Sequence, residues 1–192
     1  MTDRPYFLTT PRLGFRSWRA GDMDLALSLW GDPRVMALID GRGQPGREEV
    51  HERLERELRN GRELGIQYWP IFSLESGELV GCAGLKPYDV SRGLYEMGYH
   101  LRPEFWGAGY ATEAARAVVA YAFATIRPAA LLAGHHPENY ASKRVLEKLG
   151  FIYLRDELYA AAGRMDPIYE LKPPAVGNRR ERGGDACGRG SR

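Results

Sequence analysis

Short apolar runs alternate with polar and glycine-containing segments through most of the chain. Apolar runs bounded by turn residues are typical of strands, and about seven occur, at residues 13–18, 68–74, 79–86, 94–101, 131–135, 151–158 and 167–171. Apolar residues at helical spacing predict about four helices, at residues 21–29, 47–60, 109–125 and 139–149. The pattern therefore predicts one domain of the α+β class, in which helices and strands are mixed along the chain.

A glycine-rich turn joins the predicted strand 94–101 to the predicted helix 109–125. The segment reads LRPEFWGAGYATEAA from Leu101 to Ala115. Gly107 and Gly109 have no Cβ, so the backbone can turn tightly and approach a ligand closely. The first N–H groups of the helix are unpaired, and the helix dipole favours negative charge there. The turn suits a pyrophosphate, although a plain strand-to-helix connection could contain the same glycines.

Two common phosphate-binding motifs fit this turn poorly. A P-loop requires a Lys-Ser or Lys-Thr pair after its second glycine, and none follows here. A dinucleotide fingerprint requires a third small residue, but Thr112 occupies that position. No acidic residue near Arg127 is placed to bind a ribose.

A second segment, NYASKRVLEKLGFIY from Asn139 to Tyr153, narrows the choice between families that bind a phosphate at such a turn. Asn139 is a favoured N-cap, and Gly150 is a favoured residue just past a helix end. The order of glycine-rich turn, helix, strand, Asn-capped helix and Gly-Phe resembles the GNAT family of acyl-CoA N-acyltransferases. Within that family the chain is most similar to the branch of ribosomal-protein-alanine N-acetyltransferases, the RimJ/RimL type.

The resemblance extends over residues 8–172. The segments TPRLGFR, GCAGL, EMGY and WGAGYATEA are similar to the branch's TxRLxLR, IGxxGL, EIGY and WGKGYATEA, and they begin at residues 10, 81, 96 and 106. It implies the three-layer GNAT fold, a mixed sheet that splays apart between its fourth and fifth strands. In the family the pantetheine arm of acetyl-CoA adds between those strands. Residues 1–172 are thus expected to form the acetyltransferase domain.

The resemblance also implies a set of contacts with acetyl-CoA. The backbone of His100, Leu101 and Arg102 is expected to pair with the pantetheine arm, and a backbone N–H near Tyr99 to face the thioester oxygen. The pyrophosphate is expected on the N–H groups of the turn. The predicted contacts there are Trp106, Gly107, Ala108, Gly109, Tyr110, Ala111 and Thr112. The family has Gln or Arg at the position of Glu104, so no cationic contact is expected from that position.

Glu96 is the candidate base. It alternates with Gly98 and His100 on one strand face, and near the cleft its carboxylate could deprotonate the amine directly or through water. A surface or salt-bridged role for Glu96 remains open. His100 could titrate near neutrality or be structural.

Ser142 and Asn139 complete the predicted catalytic set, and both are expected to contact acetyl-CoA. Ser142 lies one turn beyond Asn139, and its hydroxyl could protonate the departing thiol or simply face solvent. Asn139 could bind pantetheine or nearby water while also capping its helix. Many family members have a tyrosine acid seven residues after the Asn, where this chain has Leu146. Tyr140 is not a substitute on sequence grounds alone.

The acceptor side has weaker candidates. His135 and His136 follow the fifth strand, and Asp166 and Tyr169 lie on the last one. Any of them could border the acceptor pocket or belong to ordinary strand ends. The glycine-containing loop 40–46 is expected to lie at the same site.

Charge and cysteine content limit the remaining function classes. The net charge is +2, but residues 173–192 carry a surplus of three positive charges, which leaves about −1 for the rest. Nucleic acid is therefore an unlikely partner. Cys82 and Cys187 lack a histidine at metal-ligand spacing, so neither a metal site nor a disulfide framework is expected. The Arg- and Gly-rich tail 173–192 is predicted to be disordered.

These observations predict an acetyl-CoA-dependent N-acetyltransferase that acts on a primary amine, either a protein N-terminus or a small molecule. The alternative is a non-catalytic acyl-CoA-binding module of the same fold, and a third hypothesis is a ribosome-associated protein that binds through its tail. The predicted partners are acetyl-CoA and the amine, with the chain a monomer or homodimer. Because no membrane span or signal peptide is recognisable, the expected location is the cytoplasm.

Overall fold

The computed structural model describes residues 6–39 and 44–174. The predicted tail, from residue 175 onward, and residues 40–43 of the predicted loop lie outside the described residues.

Eight strands form one mixed sheet. They are β1 (Leu8–Thr9), β2 (Leu13–Phe15), β3 (Tyr68–Ser73), β4 (Leu79–Asp89), β5 (Leu94–Leu101), β6 (Ala130–Gly134), β7 (Ile152–Tyr159) and β8 (Arg164–Leu171). Their spatial order is β1-β2-β3-β4-β5-β6-β8-β7, and every neighbouring pair is antiparallel except β5 and β6. The seven predicted strands are present, and β1 is additional.

Five α-helices accompany the sheet within the described residues. They are α1 (Met23–Trp30), α2 (Pro33–Met36), α3 (Arg47–Leu64), α4 (Tyr110–Tyr121) and α5 (Tyr140–Lys148). The four predicted helices are present, and the unpredicted α2 is one turn capped by the side chain of Asp32. None of the helices in the described part of the chain has the length and apolar character needed to cross a membrane.

Two apolar clusters fix the helices against the sheet. The larger one packs α4 and α5 on the strands through residues such as Val118, Leu131 and Leu146. The smaller one packs α1 and α3 through Trp30 and Leu54. Burial of these side chains contributes about 1.5–3 kcal/mol each, which places α3 and α5 firmly beside the middle of the sheet.

The sheet opens between β5 and β6. These strands pair only at their beginnings, where Leu94, Tyr95 and Glu96 face Ala130, Leu131 and Leu132. Beyond Glu96, β5 continues to Leu101 beside β4, with no pairing to β6. The sheet therefore has the splayed form that the resemblance implied.

Candidate active site

A cavity of about 580 Å³ lies at this opening in the sheet. Its wall brings together the second half of β5, the end of β6, the start of α5 and one side of α3. The predicted residues in this wall are Glu96, Tyr99, His100, His135, His136, Asn139, Ser142, Leu146 and Asp166. Tyr140 is not part of the wall, and its side chain is 65% exposed.

The glycine-rich turn presents a row of N–H groups. Gly107 and Gly109 have φ angles of 75° and 80°, a region that favours glycine. Within the described residues, the N–H groups of 107–112 have no hydrogen-bond partner. A Cβ built on Gly109 would lie 3.7 Å from the nearest atom of another residue, and one on Gly107 would meet nothing within 4 Å. The space above the turn is open to an anion.

One predicted contact in the turn needs correction. The N–H of Trp106 donates to the carbonyl oxygen of Pro103 at 3.1 Å, which closes a short 3₁₀ turn over Pro103–Phe105. The available donors therefore begin at Gly107. The indole Nε1–H of Trp106 instead donates to the carbonyl oxygen of Leu101 at 2.8 Å.

Arg12 holds the turn from behind. Its Nε–H donates to Glu113 Oε2 at 2.6 Å, its Nη1–H donates to the carbonyl oxygen of Ala108 at 3.0 Å, and its guanidinium lies 4.2 Å from the ring centre of Tyr110. Thr10 Oγ1–H donates to Glu113 Oε1 at 2.6 Å. Burial alone would raise the pKa of Glu113, but the hydrogen bonds from Thr10 and Arg12 hold it below its ordinary value.

Glu104 has its charge balanced by two arginines. Its Oε1 lies 3.3 Å from Arg34 Nη2, and its Oε2 lies 3.7 Å from Arg102 Nε. Both pairs are largely exposed, so each contributes little to stability. They nevertheless leave the entrance to the turn without an excess of negative charge.

The N–H groups of β5 follow an alternating pattern. The N–H of Arg102 donates to the carbonyl oxygen of Val80 at 2.9 Å, so it is not free for a ligand. Because hydrogen-bonding directions alternate along an antiparallel pair, the N–H groups of Tyr99 and Leu101 point to the side of β6. These two donors line the open part of the sheet. The N–H of His100 points to β4, opposite Cys82, so the predicted pantetheine contacts of the His100 and Arg102 N–H groups need correction.

Glu96 is ion-paired at the cavity wall. Its Oε1 lies 2.9 Å from Lys86 Nζ and accepts a hydrogen bond of 3.4 Å from the hydroxyl of Tyr68. The two roles proposed from sequence are therefore compatible, because Glu96 is salt-bridged and also faces the cavity.

His100 is half-buried, and its surroundings favour the neutral ring. Burial lowers its pKa well below 6.5, and the charges of Arg53 and Lys86 lower it further. Trp30 Nε1–H donates to His100 Nδ1 at 3.2 Å, so the ring carries its proton on Nε2. Of the two roles considered from the sequence, the lowered pKa favours the structural one, because no described carboxylate lies within 4.0 Å of the ring to offset the cost of its charge.

Ser142 and Asn139 are joined at the start of α5. Asn139 Oδ1 accepts a hydrogen bond from the N–H of Ser142 at 3.0 Å, as expected of an N-cap. Ser142 Oγ lies 2.9 Å from the hydroxyl of Tyr99. Burial raises the pKa of Tyr99 to about 12. Tyr99 therefore keeps its proton and can donate it to Ser142.

His135 has one unmatched nitrogen. Its Nδ1 lies 2.7 Å from the carbonyl oxygen of His136, which can only accept, so Nδ1 carries the proton. Its Nε2 is buried and has no partner within the described residues. Tyr169 stacks on the His135 ring at 5.4 Å without lining the cavity itself, and Asp166 is paired with Arg164 at 2.7 Å.

Several cavity residues were not found from the sequence. Arg53 and Arg56 of α3, and Tyr68 and Lys86 of neighbouring strands, all line the cavity. The apolar periodicity of α3 located the buried side of that helix, but it gave no sign of which polar neighbours face the site. In the described segments, no three His, Cys, Asp or Glu residues are grouped as metal ligands.

Comparison with known proteins identifies the class. A family model described as an acetyltransferase (GNAT) domain matches residues 12–152. The chain therefore belongs to the GNAT family and is an acetyl-CoA-dependent N-acetyltransferase.

The similarity extends over most of the chain. The uncharacterized N-acetyltransferase p20 of Bacillus licheniformis is 28% identical over 165 residues, which cover 84% of this chain and 92% of that protein. An acetyltransferase structure from Agrobacterium tumefaciens is 25% identical, with a TM-score of 0.73 over 86% of this chain and 94% of its own. RimL, a ribosomal L7/L12 alpha-N-protein acetyltransferase in complex with coenzyme A, shares the fold at 15% identity, with a TM-score of 0.72 over 85% of this chain and 95% of its own.

Proposed function

We propose that this enzyme transfers the acetyl group of acetyl-CoA to a primary amine by direct attack within a ternary complex. The observation that carries the proposal is the order of three groups along β5 and the turn that follows it. Glu96, Ser142 and the N–H of Tyr99 lie in the cavity, and the N–H of Leu101 and the free N–H groups of the turn follow along the chain at the end of β5. The RimL complex supports it by the same fold.

The backbone has the main binding role. The N–H groups of 107–112 would hold the pyrophosphate, with the positive end of the α4 dipole beneath them. The N–H of Leu101 would pair with the pantetheine arm, and the N–H of Tyr99 would stabilise the oxygen of the thioester as negative charge develops. One such oxyanion donor contributes about 2.7–4 kcal/mol, and alignment of the two substrates contributes about 7–11 kcal/mol.

The side chains would carry out two proton transfers. Glu96 would take the proton of the amine, whose nitrogen attacks the thioester carbon while the carbon–sulfur bond breaks. Ser142 would give its hydroxyl proton to the departing thiolate and take one from the hydroxyl of Tyr99. Tyr99 would then regain a proton from solvent, to which Glu96 releases the proton of the amine. Asn139 keeps this hydroxyl in place through its bond to the N–H of Ser142.

Glu96→Gln tests the base. We expect turnover to fall while the affinity for acetyl-CoA stays the same, and the rate-against-pH curve to lose its acidic limb. The measurements are release of the coenzyme A thiol and mass spectrometry of the acetylated amine across an amine panel. An unchanged pH profile would leave deprotonation to water.

The same panel tests the function itself. A non-catalytic module would bind acetyl-CoA but release no thiol with any amine. We place the reaction in the cytoplasm, which is compatible with the free, buried thiol of Cys82.

A further inference from the structure

One side of the cavity carries two arginines on α3. Arg53 is half-buried and Arg56 is exposed one turn later, and both line the same cavity as Glu96. Neither was assigned a role in binding acetyl-CoA or in the proton transfers proposed above.

Arg53 is held in place by neutral groups. Its guanidinium lies 4.7 Å from the ring centre of Trp30, and its Nη2 lies 3.3 Å from Nδ1 of the neutral His100. Within the described residues, no carboxylate lies within 4.0 Å of Arg53 or Arg56. The planar Arg53 group is thus oriented without a direct ion pair.

Three of the four carboxylates of the wall, in contrast, have a cation within 4.0 Å. Glu96 pairs with Lys86 at 2.9 Å. Glu57 accepts a hydrogen bond from the N–H of Tyr68 at 2.8 Å; burial raises its pKa, and the charges of Arg53 and Arg56 lower it by less. The other two acids pair with arginines outside the wall at 2.6 and 2.7 Å: Glu157 with Arg155, and Asp166 with Arg164. Arg53 and Arg56 together face only the carboxylate of Glu57, so the excess charge in this part of the wall is positive and lies on α3.

We propose that the acceptor is a small molecule that carries a carboxylate beside its primary amine, and that Arg53 and Arg56 bind this carboxylate. The inference deepens the proposed acetyl transfer and rests on it. A guanidinium fits a carboxylate with two parallel hydrogen bonds, and such charge-assisted bonds are about twice as strong as neutral ones. The cavity of about 580 Å³ must also admit the acetyl group, so the space left suits a molecule of amino-acid size.

The experiment compares free α-amino acids with the matching carboxamides, which keep the amine but lose the carboxylate charge. Calorimetry measures their affinity for the protein saturated with coenzyme A, and thiol release with acetyl-CoA measures KM. We expect the carboxylates to bind about tenfold tighter, which corresponds to about 1.4 kcal/mol.

Variants of α3 test the arginines. Arg53→Gln should abolish the preference, and Arg56→Gln should reduce it. Arg53→Lys keeps the positive charge but loses the paired N–H groups of the guanidinium, so it should retain only part of the preference for carboxylates. It replaces Arg53→Gln in the test if that variant does not fold. Arg59→Gln is the matched control, because Arg59 is exposed on the same helix and does not line the cavity.

The outcomes separate the two proposals. A carboxylate preference in binding, without acetylated product from any amine, would refute the transfer reaction and retain the carboxylate site. Product formed equally well from acids and amides would refute the carboxylate site and retain the transfer. Absence of binding in both series, equal binding in both, or binding only of short peptides with an acidic second residue would overturn the small carboxylated acceptor.

Discussion

At the scale of single residues, the proposed acid of this site is a pair of hydroxyls. Ser142 lies in the first turn of α5, where its N–H donates to the side chain of the N-cap Asn139. The hydroxyl of Tyr99, on β5, lies 2.9 Å from Ser142 Oγ. Leu146 fills the position where related enzymes have a tyrosine, and it is buried. A tyrosine hydroxyl is therefore still present beside the predicted thiol, but it comes from a strand instead of from α5.

Ser142→Ala should lower kcat about 10²-fold and change the affinity for acetyl-CoA little, because only the protonation of the thiolate is lost. Steady-state kinetics with a responsive amine will measure this. Tyr140→Phe is the control, since Tyr140 is exposed and lies outside the cavity wall. Full activity in Ser142→Ala would mean that the thiolate leaves without help from this hydroxyl.

At the scale of elements, the turn before α4 is built from two distant segments. Its own glycines shape it, and Arg12 fixes it through Glu113 and Ala108. The sequence indicated the role of the glycines, because glycine is the residue favoured at positive φ. It did not indicate the role of Arg12, because a contact between residues 12 and 113 depends on how β2 and α4 pack.

Gly109→Val should abolish the binding of acetyl-CoA while the protein remains folded. Valine would disfavour the φ of 80°, and its Cβ would lie 3.7 Å from Nη2 of Arg12, whose contacts hold the turn. Gly163→Val is the matched control, since Gly163 has a φ of 63° and open space around it, far along the chain in the β7–β8 turn. Calorimetry and thermal melts of both variants separate loss of the site from backbone strain. Normal binding by a folded Gly109→Val protein would exclude the turn as the phosphate site.

The strands and helices missed from sequence share a physical reason. β1 has two residues and α2 has four, which is too short for a periodic pattern.

Two helix ends differ from the predicted ones. α4 ends at Tyr121 and continues as a wider turn over Ala122–Ile126, although the apolar pattern predicted a helix to 125. Asp22 binds Arg16 at 2.6 Å, and its side chain makes no capping bond to α1, which begins at Met23 and not at residue 21.

The cavity residues also divide into those that the sequence indicated and those that it did not. Glu96, Asn139 and Ser142 were found because each belongs to a motif with fixed spacing. Arg53 and Tyr68 were not, since they reach the cavity only after α3 and β3 are packed against β5.

At the scale of the whole molecule, the half-buried His100 links stability to pH. Its pKa in the folded protein is well below 6.5, so below about pH 6.5 the unfolded chain binds a proton that the folded one does not. Stability is therefore lost as the pH falls from about 6.5 towards the folded pKa, with a slope that approaches about 1.4 kcal/mol per pH unit. Above about pH 7 this contribution is constant.

Denaturant unfolding at several pH values between 5 and 8 will test this link. His100→Gln should unfold with a flatter pH dependence than the parent protein, because the proton uptake of the unfolded chain at this position is removed. An equal slope in both proteins would mean that His100 is not the group responsible.

The opening of the sheet between β5 and β6 affects how long the protein stays folded in a cell. Without its substrate, the sheet carries an unpaired strand edge in its interior, and such edges are the places at which other chains add and aggregation begins. Acetyl-CoA would cover that edge and, at a hundred times its dissociation constant, add about 2.7 kcal/mol to the stability of the fold. The supply of thioester would then set how long the enzyme survives as well as how fast it works, so that a starved cell would lose the protein along with its substrate.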